Sequence, residues 1–350
     1  MLQIRLRNGR VIGDGAPSFI VAEAGINHNG DMDRAHAMID AVAATGADAV
    51  KFQNYRTEDF VSDRSLRYEY ESGGKTIVES QFDMFKRCEL SADALEKLRV
   101  HSDRRGLACF ATPTGQEGID QLVRAGAPLL KNGSDYLVNL HLIEAMAKTG
   151  LPTVLSTGMA TLSEIEDAVT AFTRAGGREL ILLHCTSNYP TAPEDVHLRK
   201  MTSLKSTFGC VVGLSDHSEG WLVAAAAVAM GACFIEKHFT LDKNLPGPDH
   251  RFSNDPAELR TLVEAIRSVE RTLGSASIGP TATEEDSRRE FRLSCVAATD
   301  LEGGIVLQPS HIAFRRPGSG HPPKDIDQFI GRRLIRRLTR GDLLDLTMCE

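Results

Sequence analysis

The chain has 350 residues, 42% of them hydrophobic and 25% charged, and its formal net charge is −7. The composition is ordinary for a globular protein of one or two domains, and the negative charge argues against a general nucleic-acid binder. No apolar run reaches about 18 residues and the N-terminus lacks a signal peptide pattern, so neither a membrane span nor secretion is expected. The seven cysteines are scattered without a Cys-x-x-Cys pair, which favours the reducing cytoplasm.

Residues 1–16 predict a small hairpin or lead-in, and a repeating pattern of strand and helix begins after them. The predicted strands are residues 19–25, 48–53, 106–113, 128–134, 152–158, 180–186, 211–214 and 234–240. Helical patterns follow them, one of which begins with the capping box Thr161-x-x-Glu164. Eight strand–helix units predict an α/β fold of the (β/α)8 TIM-barrel type. An open doubly wound sheet is the alternative, but no Gly-x-Gly-x-x-Gly follows the first strand.

Two regions depart from the repeat. A long loop over residues 54–89 is predicted after the second strand, and a loop of that length is usually functional or mobile. The barrel is predicted to cover residues 1–274, and the small, polar and charged residues 275–290 to form a linker. Residues 291–350 predict a separate β-rich domain, which is so small that it is expected to dock on something.

The carboxyl ends of barrel strands carry the chemistry of this fold. Polar side chains are concentrated at the predicted strand ends: Glu23, Lys51, Gln53, Thr112, Lys131, Ser134, Ser156, Thr157, His184, Thr186, Ser215, Asp216, His217, Glu236, Lys237 and His238. Asp249 follows the eighth strand closely enough to face the same mouth. A purely structural barrel would not need such a set.

Two histidines, His217 and His238, end neighbouring predicted strands. Two neutral imidazoles there would hold one divalent metal ion and leave coordination positions for a substrate. The alternative is that one or both are ordinary barrel histidines with structural hydrogen bonds.

The lysines Lys51 and Lys131 suit a phosphorylated anion, because they supply two charges beside several hydroxyl donors. A structural alternative is ion pairing with Glu23 or Glu236. A Schiff-base aldolase that uses Lys131 is the chemical alternative, although the histidine pair argues against it.

Several motifs resemble the sialic acid synthase family: AEAGINHNG (22–30), VKFQ (50–53), LSTGM (155–159), HCTSNYP (184–190), GLSDH (213–217), EKHFT (236–240) and PGPD (246–249). The segment FRRPGSG (314–320) resembles the antifreeze-like (SAF) domain of that family. The resemblance runs in order from about residue 16 to the C-terminus. It implies a TIM barrel followed by a SAF domain.

The resemblance also implies a reaction, in which phosphoenolpyruvate condenses with a 2-acetamido sugar aldehyde, such as N-acetylmannosamine, to give a nine-carbon keto acid and phosphate. His217 and His238 would hold Mn²⁺ or Mg²⁺, which stabilises charge on the aldehyde oxygen. Glu23 and Asp249 would orient or deprotonate the water and carry protons. The implied phosphoenolpyruvate-binding residues are Lys51, Gln53, Lys131, Ser134, Ser156 and Ser215.

The implied sugar-binding residues are Thr112, Tyr136, Tyr189 and an arginine from a partner subunit. In the family the small domain reaches across a homodimer, and the matching arginine here is Arg316. The alternative for Arg316 is a surface residue of an Arg-Arg pair.

The sequence departs from the family pattern where Asp135 and Tyr136 replace a common Gly-Glu pair, and Asn132 replaces an apolar residue. Residues 62–86 would also reshape the sugar pocket. A legionaminic acid-type synthase that uses a 2,4-diacetamido-6-deoxy sugar is therefore an open alternative. A carbohydrate- or ice-binding protein with an inert barrel is the alternative outside enzymes.

Overall fold

The computed structural model describes residues 1–72 and 74–350. The chain divides into two compact units, Met1–Gly274 and Ser275–Glu350. Over the described residues, every helix is too short or too polar to cross a membrane.

The strands are β1 (Gln3–Arg5), β2 (Val11–Gly13), β3 (Phe19–Gly25), β4 (Ala49–Asn54), β5 (Arg67–Ser72), β6 (Lys75–Ser80), β7 (Ala108–Pro113), β8 (Leu130–Asn132), β9 (Thr153–Ser156), β10 (Leu180–Cys185), β11 (Val211–Asp216), β12 (Phe234–His238), β13 (Ser294–Ala297) and β14 (Ile312–Arg315). The helices are α1 (Met32–Thr45), α2 (Thr57–Phe60), α3 (Gln81–Arg87), α4 (Ala92–Arg104), α5 (Gln116–Ala125), α6 (Leu140–Lys148), α7 (Leu162–Arg174), α8 (Pro193–Val196), α9 (Arg199–Phe208), α10 (Leu222–Ala229), α11 (Pro256–Leu273) and α12 (Glu285–Phe291).

The first unit is a TIM barrel, as the sequence predicted. Its eight strands pair in parallel in the order β7-β4-β3-β12-β11-β10-β9-β8. The two end strands, β7 and β8, lie side by side and close the sheet. The carboxyl ends of all eight strands therefore meet at one mouth.

Local sequence determines where the helices start and stop. Asp31 begins α1 by accepting a hydrogen bond from the amide of Arg34 at 3.1 Å, and Gly46, at φ 83°, ends it. The predicted capping box is present in α7, where Thr161 and Glu164 exchange hydrogen bonds. Both helices turn an apolar stripe toward the sheet, which buries the barrel core.

The predicted long loop contains regular structure. Within residues 54–89 lie α2, the antiparallel hairpin β5–β6 and α3. The sequence prediction missed the hairpin because most of its residues are exposed or half-exposed on both faces, so no buried face leaves an apolar alternation to detect. The predicted N-terminal hairpin is present, with Ile4 opposite Ile12.

The second unit contains the β13–β14 pair and a small core around Cys295, Leu307, Phe329 and Leu334. Residues 275–290, predicted as a linker, hold a 3-10 turn (Ala282–Glu284) and most of α12. The unit is otherwise rich in turns and isolated bridges.

Candidate active site

A cavity of about 470 Å³ opens at the carboxyl ends of the barrel strands. The barrel residues to which the sequence analysis gave a role in catalysis, substrate binding or metal binding all line it: Glu23, Lys51, Gln53, Thr112, Lys131, Ser134, Tyr136, Ser156, Tyr189, Ser215, His217, His238 and Asp249. Arg316 belongs to the second unit, where its Nε donates to the Phe291 carbonyl at 3.1 Å and its guanidinium stacks over the Phe291 ring.

Four buried charges form an alternating network in the cavity. The Lys51 ammonium lies 2.8 Å from Glu23 Oε2 and 3.6 Å from Glu236 Oε2, and it donates to Thr112 Oγ1 at 3.1 Å. The Lys131 ammonium lies 3.6 Å from Glu236 Oε1. Each cation is thus neutralised by a carboxylate that a bound anion would have to replace or share.

Burial and neighbouring charges shift the pKa values of the two glutamates in this network in opposite directions. Burial raises the pKa of Glu23, and the Glu236 charge adds to this while Lys51 opposes it. Burial also acts on Glu236, but Lys131 and Lys51 outweigh it and leave the pKa of Glu236 lowered. Burial lowers the pKa of Lys131, with Glu236 opposing. The network therefore holds one carboxyl that binds a proton readily beside one that stays ionised.

The position of Glu23 depends on an irregularity in its strand. The register of β3 against β4 shifts between Glu23 and Gly25, and Gly25 has a φ of 51°. A Cβ at Gly25 would lie 3.2 Å from Glu23 Oε1. Glycine therefore lets the chain bend away directly after the carboxylate.

Hydroxyl and amide groups surround the lysines. Ser215 Oγ donates to Glu236 Oε1 at 3.0 Å, and the Gly158 amide donates to Ser134 Oγ at 3.0 Å. A Cβ at Gly158 would lie 2.4 Å from Ser187 Oγ and 2.7 Å from Ser134 Oγ. Glycine is required there because the backbone approaches these serines so closely.

The two predicted metal-binding histidines lie next to each other, with ring centroids 5.3 Å apart. His217 Nδ1 lies 2.8 Å from the Thr186 carbonyl, which assigns the proton to Nδ1 and leaves the lone pair on Nε2. His238 Nδ1 is buried without a hydrogen-bond partner, 3.8 Å from Asp249 Oδ2. Burial places the pKa of His238 well below its ordinary value, and it raises that of Asp249 to about 6, with His217 opposing.

The donors of this pair fit a divalent metal ion. Neutral imidazole is a ligand for such ions, and the unpartnered His238 nitrogen lacks any other bond that explains its burial. Across residues 1–72 and 74–350, no cluster of three or more His, Cys, Asp or Glu side chains is arranged to hold a metal. A metal at this place would have the two imidazoles as its protein ligands, and water or substrate would complete its coordination.

Aromatic side chains form the rest of the mouth. The Tyr189 ring lies 4.2 Å from the His217 ring and 5.3 Å from the Phe252 ring, measured between centroids. Tyr136 lines the cavity beside Asp135, at the position where the sequence departs from the family pattern. Tyr68 of β5 reaches the cavity as well, so the hairpin that the sequence missed contributes to the site.

Some predicted strand-end residues do not face the cavity. The side chains of Asp216 and Lys237 form a separate buried ion pair at 2.8 Å, and His184 contacts the Val196 carbonyl. Successive side chains of a strand point to opposite faces, so the neighbours of Ser215, Glu236 and Cys185 point outward. The mouth prediction was therefore wrong for these three, which do not line the cavity. It was also wrong for Thr157 and Thr186, whose hydroxyls donate to the carbonyls of Leu183 and Asp195.

The sequence reasoning missed Cys185. Its Sγ lies in the cavity wall, 3.8 Å from His217 Nδ1. Burial raises the pKa of the thiol, but His217 outweighs this effect and brings the pKa down to about 7. The alternation of side chains along β10 could have identified Cys185, because Leu183 and Cys185 lie on one face of the strand and His184 lies on the other.

Comparisons with known proteins agree with this architecture. The NeuB family model matches residues 38–277, and the SAF domain model matches residues 294–348. An uncharacterized protein of Methanocaldococcus jannaschii is 41% identical over 96% of this chain and 95% of its own length. The N,N'-diacetyllegionaminic acid synthase of Legionella pneumophila is 38% identical over 95% of this chain and 94% of its own. The crystal structure of an N-acetylneuraminic acid synthetase from Leptospira borgpetersenii superposes with a TM-score of 0.73 at 36% identity, covering 81% and 94% of the two chains.

Proposed function

The chain belongs to the NeuB family, and from that premise we propose that it condenses phosphoenolpyruvate with an N-acetylated amino sugar aldehyde and water, giving a nonulosonic acid and phosphate. The observation that carries the proposal is the cavity in which two buried lysines and several hydroxyls lie beside the His217–His238 pair.

The lysines supply the anion site. Phosphoenolpyruvate carries two anionic groups, a carboxylate and a phosphate. Among the described residues that line the cavity, the only lysine or arginine side chains are those of Lys51 and Lys131. Ser134, Ser156 and Ser215 add hydroxyl donors, and Gln53 adds an amide. Binding shifts Lys131 from Glu236 to the substrate, because a phosphate oxygen can approach more closely than the 3.6 Å that separates these two residues.

In the reaction, C3 of phosphoenolpyruvate forms a bond to the aldehyde carbon of the sugar, and the aldehyde oxygen gains a proton. The oxygen of water adds to C2 and the water loses a proton. The C2–O bond to phosphate then breaks while the C2 hydroxyl becomes the keto oxygen and its proton passes to the departing phosphate, which leaves the keto acid and inorganic phosphate. The proton lost by water balances the one gained by the new hydroxyl.

Two carboxyls are placed to carry these protons. Glu23 lies beside Lys51, at the anion end of the cavity, so we assign to it the water that adds to C2. Asp249 lies beside His238, so we assign to it the aldehyde end. Their raised pKa values suit groups that must hold and release a proton during each turnover.

We assign His217 and His238 as the residues that hold a divalent metal ion, Mn²⁺ or Mg²⁺. When bound, such an ion polarises the aldehyde oxygen. The Thr186 carbonyl keeps the His217 ring in the tautomer that this requires.

The acceptor is an amino sugar held by Thr112, Tyr136 and Tyr189. The name of the Legionella relative supports a 2,4-diacetamido-6-deoxy sugar over N-acetylmannosamine. Tyr136 supports it as well, since a phenol at this position provides no charged acceptor for sugar hydroxyls. We further propose a homodimer in which Arg316 of one subunit reaches the sugar site of the other.

The test is phosphate release from phosphoenolpyruvate by metal-stripped protein. The assay compares N-acetylmannosamine with its 2,4-diacetamido-6-deoxy analogue, with and without Mn²⁺. We expect release that requires both a sugar and the metal. Release that does not need a sugar, or no release with either sugar from folded protein, would contradict the proposal.

Lys131 allows a direct test of the aldolase alternative, because burial lowers its pKa and so favours an amine nucleophile. Borohydride added with pyruvate would trap a Schiff base on this lysine. We expect no labelling, since the proposed reaction uses Lys131 as a cation.

A further inference from the structure

Two sequence motifs meet beside the barrel mouth. We call residues 26–30 (INHNG), which follow β3, the asparagine loop, and residues 246–250 (PGPDH), which lie between β12 and α11, the Asp249 loop. Two side chains of the asparagine loop, Asn27 and Asn29, bond to the Asp249 loop and its flanks. Neither of them lines the cavity, so any effect of theirs on the reaction must pass through another residue.

The Asp249 loop depends on Asn29 for its contact with the barrel. Across residues 1–72 and 74–350, the only hydrogen bond that reaches residues 246–248 is the one from Asn29 Nδ2 to the Pro246 carbonyl, at 2.6 Å. A carbonyl only accepts, so the amide nitrogen of Asn29 must be the atom that faces it. The half-buried side chain of Asn29 thus holds a segment that backbone hydrogen bonds leave free.

His250 extends this contact to the end of β12. Asn29 Nδ2 lies 3.3 Å from His250 Nε2, and an amide nitrogen can only donate there. The ring proton is therefore on Nδ1, which donates to Thr240 Oγ1 at 2.7 Å. The ring is fully buried, and burial lowers the pKa of His250 to about 4, which keeps it neutral at pH 7. Asn29, His250 and Thr240 thus form one continuous chain of hydrogen bonds.

Gly247 leaves the space that this chain occupies. A Cβ at Gly247 would lie 2.8 Å from His250 Cδ2 and 3.2 Å from Asn29 Oδ1, and its φ of 148° favours glycine as well. The Asp249 loop is therefore shaped to fit against the asparagine loop.

Asn27 fixes the chain on the other side of Asp249. Its Nδ2 donates to the Phe239 carbonyl at 2.8 Å and to Ser253 Oγ at 3.0 Å. Ser253 Oγ donates in turn to the Asp249 carbonyl at 2.6 Å, and the Ser253 amide donates to the same carbonyl at 3.2 Å. Because Phe239 directly follows His238, Asn27 ties the backbone beside this histidine to the backbone of Asp249.

We infer, on the basis of the proposed function, that Asn27 and Asn29 are positioning residues, which hold the Asp249 carboxyl beside His238 by fixing the backbone on both sides of it. The carboxyl lies 3.8 Å from His238 Nδ1, and within residues 1–72 and 74–350 no group donates a hydrogen bond to it. Its place in the cavity therefore depends on its backbone, and the two asparagines determine where that backbone lies.

The first test is Asn29→Gly, which removes both hydrogen bonds, while glycine tolerates the φ of 52° at this position. Phosphate release is measured with Mn²⁺ and the sugar that the wild-type protein uses. We expect kcat to fall about thirtyfold, because the carboxyl moves away from the aldehyde end. KM for phosphoenolpyruvate should stay within about twofold of wild type, since the lysines keep their places.

Asn244→Gly is the matched control. Asn244 is an exposed asparagine between β12 and α11 whose amide donates to Asp242, and it does not line the cavity. This variant should keep wild-type kinetics. Wild-type kcat in folded Asn29→Gly, or an equal loss of kcat in both variants, would overturn the inference.

A double-mutant cycle shows whether Asn29 acts through Asp249. Asp249→Asn removes the carboxylate and should lower kcat about a hundredfold. In that background Asn29→Gly should cost less than about twofold more, because no carboxylate is left to misplace. A further thirtyfold loss there would mean that Asn29 supports the barrel in general, and it would overturn the inference.

Ser253→Ala tests the Asn27 side. The change deletes one hydroxyl and leaves Asn27 its bond to Phe239, so the fold should be kept. We expect kcat to fall about fivefold at unchanged KM for phosphoenolpyruvate, since the Ser253 amide still bonds to Asp249. Wild-type kcat in Ser253→Ala would remove Asn27 from the role.

These results separate the inference from the proposed function. Normal phosphate release by wild-type protein together with full activity of Asn29→Gly would overturn the inference alone. Absence of release from wild-type protein with every sugar would overturn the proposed function, and this inference with it.

Discussion

Two buried lysine–carboxylate pairs lie at the same end of the barrel and have the same length. Lys51 meets Glu23 at 2.8 Å inside the cavity, and Lys237 meets Asp216 at 2.8 Å on the outer face of β12 and β11. The first pair shares its charges with Glu236 and Lys131, whereas the second is completed by Ser218, which donates to Asp216 and accepts from Lys237. The difference is the face of the strand, and it separates the pair that we propose for anion binding from one that we expect to be structural.

The comparison shows that burial and a short ion pair do not identify a functional lysine. The cavity pair is adaptable, because Lys51 has a second partner, Glu236, at 3.6 Å, and Lys131 lies at the same distance from that carboxylate. Lys237 and Asp216 do not line the described cavity, so we expect their charges to satisfy each other.

Removal of a cavity cation should have the largest effect. Lys131→Met is expected to lower kcat/KM for phosphoenolpyruvate about a thousandfold. The reason is that the departing phosphate loses the preorganised positive charge of the Lys131 ammonium. The free energy of unfolding should change by about 1 kcal/mol or less, because Glu236 keeps Lys51 and Ser215 as partners. Steady-state kinetics and urea unfolding measure both quantities, and a strongly destabilised variant with normal kinetics would reverse the assignment.

The matching change in the outer pair should affect stability. Lys237→Met is expected to cost about 3 kcal/mol in unfolding free energy, because it leaves Asp216 buried without its cation. The double variant Lys237→Met/Asp216→Leu should recover most of the loss, since it removes both charges. Loss of phosphoenolpyruvate affinity in this folded double variant would argue against a purely structural pair.

A change at Gly158 tests how closely the anion site is packed. Gly158→Ala is expected to raise KM for phosphoenolpyruvate about thirtyfold, because the added methyl group would displace Ser134 and Ser187. Gly150→Ala is a control for a glycine outside the cavity, although its φ of 68° adds some backbone strain. If KM stayed at its wild-type value in Gly158→Ala, these serines would not form part of the anion site.

A cavity-facing position alone should not make a residue essential. Cys185→Ser is expected to change kcat less than about threefold, because the Thr186 carbonyl, at 2.8 Å, already orients His217. The measurement is the same phosphate-release assay. A loss of a hundredfold or more would show that the thiol takes part in the chemistry.

The sequence predicted the barrel well because its strands are buried runs with clear helical patterns between them. It also predicted which residue types gather at the mouth, since His217, His238, Lys51 and Lys131 end their strands. The prediction failed where the alternation of side chains along a strand decides whether a residue faces the cavity or the outside of the barrel. Lys237 and Asp216 were therefore placed in the mouth, and Cys185 was overlooked. It failed again at the β5–β6 hairpin, where exposed charged and aromatic residues alternate without a buried face.

The binding of phosphoenolpyruvate to the cavity lysines is the central claim, and titration calorimetry in the presence of Mn²⁺ tests it most directly. The titration uses wild-type protein, Lys51→Met and the Lys237→Met/Asp216→Leu double variant. We predict saturable binding to wild type and to the double variant, and a loss of affinity of at least a hundredfold in Lys51→Met. Equal affinity in all three proteins would contradict the account, because the cavity cations would then not be the anion site.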